Sequence, residues 1–289
     1  MKNDFFDVTR TYYTTSHTRT QVPMFFYKIA TRILNYFVDY DRALPKLKGT
    51  GLKPCHFFNG KAMVSLIFFN YQDVTIGGYD EVVISIMVYP ESLGEPSFPT
   101  STILFVKKGD WWKKLGAYIL EMPVTIPAAR AAGREIWGFP KFLTTIPSKL
   151  SGNSFEFGVK DPDTNESIVD VKGEMGPGIY TKAFDLVSLN NYENTIFKVV
   201  TEVNGKMKNC LCKKIEVKAG PGNHRMTRNI RDLGLETARP FAIMSSDNLQ
   251  TRLNPGKPVA DWPSPPLPYA YDHEVSYYER LNDLLGENS

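Results

Sequence analysis

The chain predicts a mainly β protein with a few helices, built as an antiparallel barrel or curved sheet. Three observations carry this: about ten short segments rich in Val, Ile, Phe and Met, turn residues between them, and few runs with helical apolar spacing. At 289 residues, 42% of them hydrophobic, the chain can bury a sizeable core.

Residues 1–22 carry Tyr, Thr, Arg and His without a period and read as an N-terminal arm. Met63–Phe69 and Glu81–Tyr89 read as neighbouring strands, with Gly77-Gly78 supplying the turn. Thr102–Val106, Gly116–Met122, Phe142–Ile146, Ser154–Val159, Ser167–Val171, Ile179–Val187, Ile196–Val203 and Asn209–Val217 continue the series. Lys108-Gly109-Asp110, Asp161-Pro162-Asp163 and Asn204-Gly205-Lys206 punctuate it. Asn-Gly is a strong hairpin signal, so the last two strands are expected to pair antiparallel.

One helix is expected from Thr125 as cap, through Pro127 in the first turn and Ala128–Ala132, to Trp137, where Gly138 and Pro140 stop it. Met226–Gly234 and Glu274–Leu285 also have helical spacing. The organisation that follows is an arm at 1–22, one barrel domain at 23–255, and a proline-rich segment with a helical tail at 256–289.

Lys and Arg number 34 against 31 Asp and Glu, a net charge of +3, which does not indicate an extensive nucleic-acid footprint. Lys107–Lys114 interleaves basic and aromatic residues, but one such loop reads as a solvated turn. Cys55, Cys210 and Cys212 are too few and too unevenly spaced for a disulfide framework or a structural zinc site. The polar N-terminus and the absence of a long apolar run predict a soluble, cytoplasmic protein without a membrane partner.

The chemistry concentrates in Gly133-Arg134-Glu135-Ile136-Trp137-Gly138-Phe139-Pro140-Lys141-Phe142. Lys141 follows a helix stop and begins a strand, sharing a face with Phe139 and Leu143 while Phe142 points the other way. An apolar setting disfavours the ammonium, and a neutral amine attacks a ketone to form an iminium. That makes Lys141 a candidate Schiff-base nucleophile, with Phe139 and Trp137 as candidate substrate contacts. Glu81, at the start of an apolar strand, is the candidate carboxylate for moving protons. Arg130 and Arg134 lie one helical turn apart and can attract an anion. His224, in Gly220-Pro221-Gly222-Asn223-His224, lacks a second metal ligand nearby and reads as structural.

The segment Gly133–Lys141 resembles the active-site segment of the acetoacetate decarboxylase family. Asp73–Glu81, with its Gly-Gly, Tyr and Glu in order, is similar to the family's segment carrying its catalytic glutamate, and Tyr40–Pro45 with Gly51–Pro54 resembles its N-terminal region. The resemblance covers roughly residues 22–255 and implies a cone-like antiparallel β-barrel that forms homo-oligomers, uses no metal or organic cofactor, and acts on a small keto acid. Lys141 falls on the family's Schiff-base lysine and Glu81 on its essential acid. Arg32 lies close to the position of its substrate arginine. Two departures stand out: clostridial members carry a second lysine where this chain has Phe142, and a carboxylate where it offers Ser65, Leu66, Ile67 and Phe68. Desolvation alone is then expected to activate Lys141, and the substrate or the reaction, decarboxylation or aldol condensation with dehydration, is open to change.

Overall fold

The computed structural model describes residues 4–57, 60–96, 115–192 and 195–261. Strands make up 59% of the described residues, among which helices are few. The strands in chain order are β1 (Thr11–Thr14), β2 (Arg19–Val22), β3 (Met24–Asp39), β4 (Leu52–Pro54), β5 (Lys61–Val74), β6 (Tyr79–Pro90), β7 (Gly116–Val124), β8 (Lys141–Leu143), β9 (Ser148–Ser151), β10 (Ser154–Lys160), β11 (Ser167–Lys182), β12 (Leu186–Tyr192), β13 (Thr195–Asn204), β14 (Lys206–Ala219), β15 (Ala242–Leu253) and β16 (Lys257–Asp261). The α-helices are α1 (Tyr40–Ala43), α2 (Pro127–Trp137) and α3 (Arg225–Asp232). Among the described residues, no helix is long and apolar enough to cross a membrane.

Seven strands close a barrel in the order β13-β12-β7-β6-β5-β3-β15, with β15 returning to β13. The pairings are antiparallel except β7–β12 and β7–β8. Beyond the barrel, β15 continues into β14, β11, β10 and β9. This outer sheet folds with α3 over one flank of the barrel, which creates two cores. The outer core holds Leu66, Phe68, Ile84, Phe142, Phe157 and Ile230. The inner one holds Phe26, Ile33, Tyr71, Val83, Met122 and Phe139. Because side chains alternate along a strand, β5 and β6 feed both cores at once.

The expected β5–β6 hairpin forms, with Tyr71 opposite Tyr79 across the Gly77-Gly78 turn. The Asn204-Gly205 hairpin does not. β13 and β14 both pair with β15, so Gly205 is a corner where one strand leaves the barrel for the outer sheet. Its φ of 132° suits glycine, and its carbonyl accepts from Ala183 N at 3.0 Å, where the neighbouring ribbon bends in step. That bend also divides the expected Ile179–Val187 strand between β11 and β12.

Two barrel strands lie where no strand is expected from the sequence, β3 and β15. β3 is buried on both sides, so it lacks a polar alternation. β15 slips register between Ser246 and Leu249, where the polar run Ser246-Asp247-Asn248 interrupts its pattern. The expected strand Thr102–Val106, the loop Lys107–Lys114 and the helix Glu274–Leu285 lie outside the described residues.

Candidate active site

The site is assembled where α2 stops. Gly138 adopts a left-handed conformation (φ 67°, ψ 25°); its N–H donates to Arg134 O at 3.1 Å, and Phe139 N donates to Gly133 O at 3.0 Å. This double closure satisfies the last helical carbonyls and turns the chain sharply into β8. At the other end Pro127 occupies the first turn as expected, but Ile126 is the cap residue. Thr125 instead accepts from Asp80 N at 3.0 Å and donates its own N–H to Asp80 O at 3.2 Å, tying the start of α2 to the residue before Glu81.

β8 pairs with β7, Lys141 beside Met122, while Glu81 of β6 lies beside Val124 on the other side of β7. The lysine reaches across β7, and its Nζ donates to Glu81 Oε2 at 2.7 Å. Both residues are buried, Lys141 at 5% and Glu81 at 2% exposure. The reach needs room over the helix. A Cβ on Gly133 would lie 2.3 Å from Lys141 Cδ, so the lysine stem crosses α2 where there is no side chain.

Glu81 Oε1 accepts from Tyr71 OH at 3.0 Å. Burial, and secondly the charge of Glu81, push the phenols of Tyr71 and Tyr79 well above their ordinary pKa, so Tyr71 is a permanent donor to the carboxylate. The Tyr79 and Phe139 rings stand 5.4 and 5.9 Å from Lys141 Nζ. Tyr71 is not a sequence candidate; its signal is its place opposite Tyr79, flanking the turn before Glu81.

These groups face a cavity of about 160 Å³ inside the barrel, comparable with the ~150 Å³ apolar cavity that admits benzene. Its wall is mostly hydrophobic, including Phe26, Ile33, Ile67, Phe69, Val83 and Met122, with Asn35, Ser65, Ser85, Asp185 and Thr251 among its polar members. Lys141 is its one cationic side chain among the described residues. Among the described residues no three His, Cys, Asp or Glu side chains gather as a metal-binding group.

Of the sequence candidates, Lys141, Glu81 and Phe139 meet at this cavity; Trp137, Arg134 and Arg32 are outside its described lining. Trp137 is buried behind Phe139, ring centroids 6.3 Å apart, and donates Nε1–H to Asn254 O at 2.8 Å. Arg134 Nε donates to the backbone carbonyl of Lys141 at 2.5 Å, which holds β8 against the helix. Arg32 has the opposite strand parity to Ile29, Ile33 and Asn35 of the wall. It pins the irregular part of β15, donating to Asp247 Oδ1 at 2.7 Å and to Ser246 O at 3.3 Å. Glu135 faces outward and accepts from Ser16 N and Oγ at 2.8 and 2.5 Å, so the β1–β2 turn of the arm docks on α2. His224 caps α3, its Nδ1 accepting from Met226 N at 3.1 Å. Phe142 is buried in the outer core, as strand parity requires.

A closed β-barrel with a buried amine and carboxylate in contact on the wall of an apolar cavity has the parts of an enzyme. The chain is a member of the acetoacetate decarboxylase family, whose model matches residues 10–219. The family and its enzymes indicate activity of the lyase kind. Among solved structures the fold is similar to an acetoacetate decarboxylase from Legionella pneumophila (TM-score 0.56, 17% identity, covering 90% of this chain and 95% of that one). It is also similar to the enduracididine biosynthesis enzyme MppR complexed with pyruvate (0.57, 14%, 86% and 94%). A third likeness is an acetoacetate decarboxylase-like enzyme from Sphingomonas wittichii (0.55, 10%, 81% and 92%). No curated protein matches the chain by sequence.

Proposed function

We propose that the protein is a Schiff-base lyase that decarboxylates a β-keto acid through an iminium on Lys141. The observation that carries the reading is the 2.7 Å contact between Lys141 Nζ and Glu81 Oε2 at the cavity wall. The proton of the Lys141 amine has an acceptor within hydrogen-bond distance. Once the proton passes to Glu81, the neutral amine adds to the substrate ketone, and loss of water from the carbinolamine leaves the iminium. The bond to the carboxylate carbon then breaks. Its electron pair moves to the iminium nitrogen, carbon dioxide departs and an enamine remains. The proton Glu81 took having left with the carbinolamine's water, Glu81 takes up one from solvent and delivers it to the enamine carbon, and water hydrolyses the new iminium to release the ketone and restore the pair.

The apolar wall favours this course, because a carboxylate stripped of water gains by becoming neutral carbon dioxide. The same iminium can instead give up a proton from its neighbouring carbon to Glu81, and the enamine so formed attacks an aldehyde and loses water. MppR has been solved with the condensation product of pyruvate and imidazole 4-carboxaldehyde, which keeps aldolase-dehydratase chemistry as the second reading.

Incubation with acetoacetate or pyruvate and borohydride, followed by mass spectrometry, is expected to find a reduced adduct on Lys141 and none in Lys141→Met. With acetoacetate and longer β-keto acids, turnover without borohydride should release carbon dioxide, falling on the order of 10⁴-fold or more in the variant. An adduct without carbon dioxide release favours the aldolase reading. No adduct with any keto acid reduces the barrel to a small-molecule binder.

A further inference from the structure

The inner wall of β3, β5 and β6 is built in three successive rungs. The first pairs Phe69 with Glu81, the carboxylate that holds Lys141. The second aligns Ile33, Ile67 and Val83, all apolar and all lining the cavity. The third aligns Asn35, Ser65 and Ser85, again all lining the cavity. Rungs on one face are two residues apart, so the third lies about 13 Å along the strand from the first.

The third rung is polar, uncharged and underused. Asn35 and Ser85 are each 3% exposed, yet among the described residues the one side-chain hydrogen bond in the rung is Ser65 Oγ donating to Asn35 Oδ1 at 2.7 Å. That bond turns the Asn35 amide so that Nδ2, with two N–H donors, and Ser85 Oγ are left for the cavity. Buried polar groups are ordinarily satisfied, and donors that the fold leaves open on a cavity wall are satisfied by what enters.

We propose that Asn35 and Ser85 form a specificity site for an uncharged oxygen, a hydroxyl or carbonyl, at the end of the substrate remote from the reacting ketone. The proposal rests on the reading of Lys141 as the group that captures the ketone, and it adds the substrate class: a keto compound with a hydrocarbon spacer and a neutral polar terminus. The spacer follows from the middle rung. Neutrality follows from charge, since Lys141 is the one cation among the described lining residues and stands at the opposite end, so a second carboxylate here would be buried without a partner.

The test uses a nine-carbon straight-chain methyl ketone and its isostere in which the terminal methyl is a hydroxyl, with binding measured by calorimetry and capture by borohydride trapping. Wild-type protein is compared with Asn35→Leu and Ser85→Ala, the second removing an oxygen that makes no hydrogen bond among the described residues. In each variant the affinity ratio should shift about tenfold toward the methyl-terminated ketone, while both ketones remain trappable on Lys141. An unchanged ratio in both variants, or binding of neither ketone to the wild type, overturns the proposal. A shifted ratio with no adduct on Lys141 supports the rung and removes the Schiff-base reading instead.

Discussion

Two buried glutamates lie on adjacent barrel strands, and the protein treats them in opposite ways. Glu121, on β7, is 0% exposed and faces the outer core, turned there by a bulge that places Leu120 and Glu121 together outside the barrel. Its Oε1 accepts from Arg225 Nε at 2.7 Å and Asn229 Nδ2 at 2.8 Å, and its Oε2 from Arg225 Nη2 at 3.0 Å. Glu81, on β6, faces the cavity and accepts one bond at each oxygen, from Lys141 and from Tyr71. One carboxylate accepts three bonds from a fork and an amide away from the cavity; the other accepts two and keeps capacity beside open space. Burial of a charge is common to both. What separates a structural carboxylate from a candidate catalytic one is the number of acceptor sites left over and what they face.

Glu81→Gln is the largest break in that contrast that keeps the shape of the site. It removes the proton acceptor and is expected to lower turnover of the β-keto acid by about 10²–10⁴-fold. Thermal stability should fall by the cost of leaving the buried Lys141 amine without its charged partner, while Tyr71 keeps an oxygen to donate to. A comparable loss of melting temperature with retained activity would assign Glu81 the structural role that Glu121 has.

Gly133→Ala tests the approach of the lysine rather than its partner. Alanine favours helix, by roughly 1 kcal/mol over glycine, but its Cβ occupies the path of the Lys141 stem. A displacement of about an ångström can cost about 10²-fold in rate. The predicted signature is slower borohydride trapping with an unfolding temperature equal to or above wild type. Trapping at the wild-type rate would mean that the stem has another route.

The difference between these two residues marks how much was legible beforehand. Lys141 and Glu81 stand out because their neighbours are distinctive: a helix stop before one, a turn and an apolar strand around the other. Gly133 lies in the same segment, yet its purpose depends on a side chain eight residues later folding back over the helix. Arg32 misleads for a related reason. Its closeness to the position of the family's substrate arginine says nothing of which face of β3 it takes, and parity sends it to the bulge of β15. β3 and β15 escape the strand pattern because one is buried on both faces and the other is interrupted, and Asn204-Gly205 has hairpin chemistry spent on a corner. The count of strands reads as an antiparallel barrel or a curved sheet; closure depends on the pairing of β13 with β15, and the division into two cores on which strands have both faces covered.

Tyr71→Phe removes one of the two bonds to Glu81 and no cavity volume. The loss should be about tenfold in turnover, the scale of a single hydrogen bond to a charged acceptor, because the bond from Tyr71 OH fixes the Glu81 carboxylate beside Lys141. Turnover at the wild-type level would make Tyr71 a packing residue only.

Glu121→Gln is expected to have the smallest effect, and its sign is informative. Burial raises the Glu121 pKa despite the attraction of Arg225 and the hydrogen bonds from Arg225 and Asn229, so desolvation is the larger influence. A carboxyl raised in the folded state contributes its full stability at pH below the unfolded value. It loses that contribution as pH rises through the folded one, because the unfolded chain ionises first. Glutamine mimics the protonated form at every pH. The wild type should therefore be most favoured relative to Glu121→Gln in acid, and should lose ground upward from the ordinary carboxylate range until the raised pKa is passed, with activity per folded molecule unchanged throughout. Paired melting curves across that range read the difference directly. A difference that grows in favour of the wild type as pH rises would mean that the Arg225 fork outweighs desolvation, and the two glutamates would then differ in what they face but not in the cost of their charge.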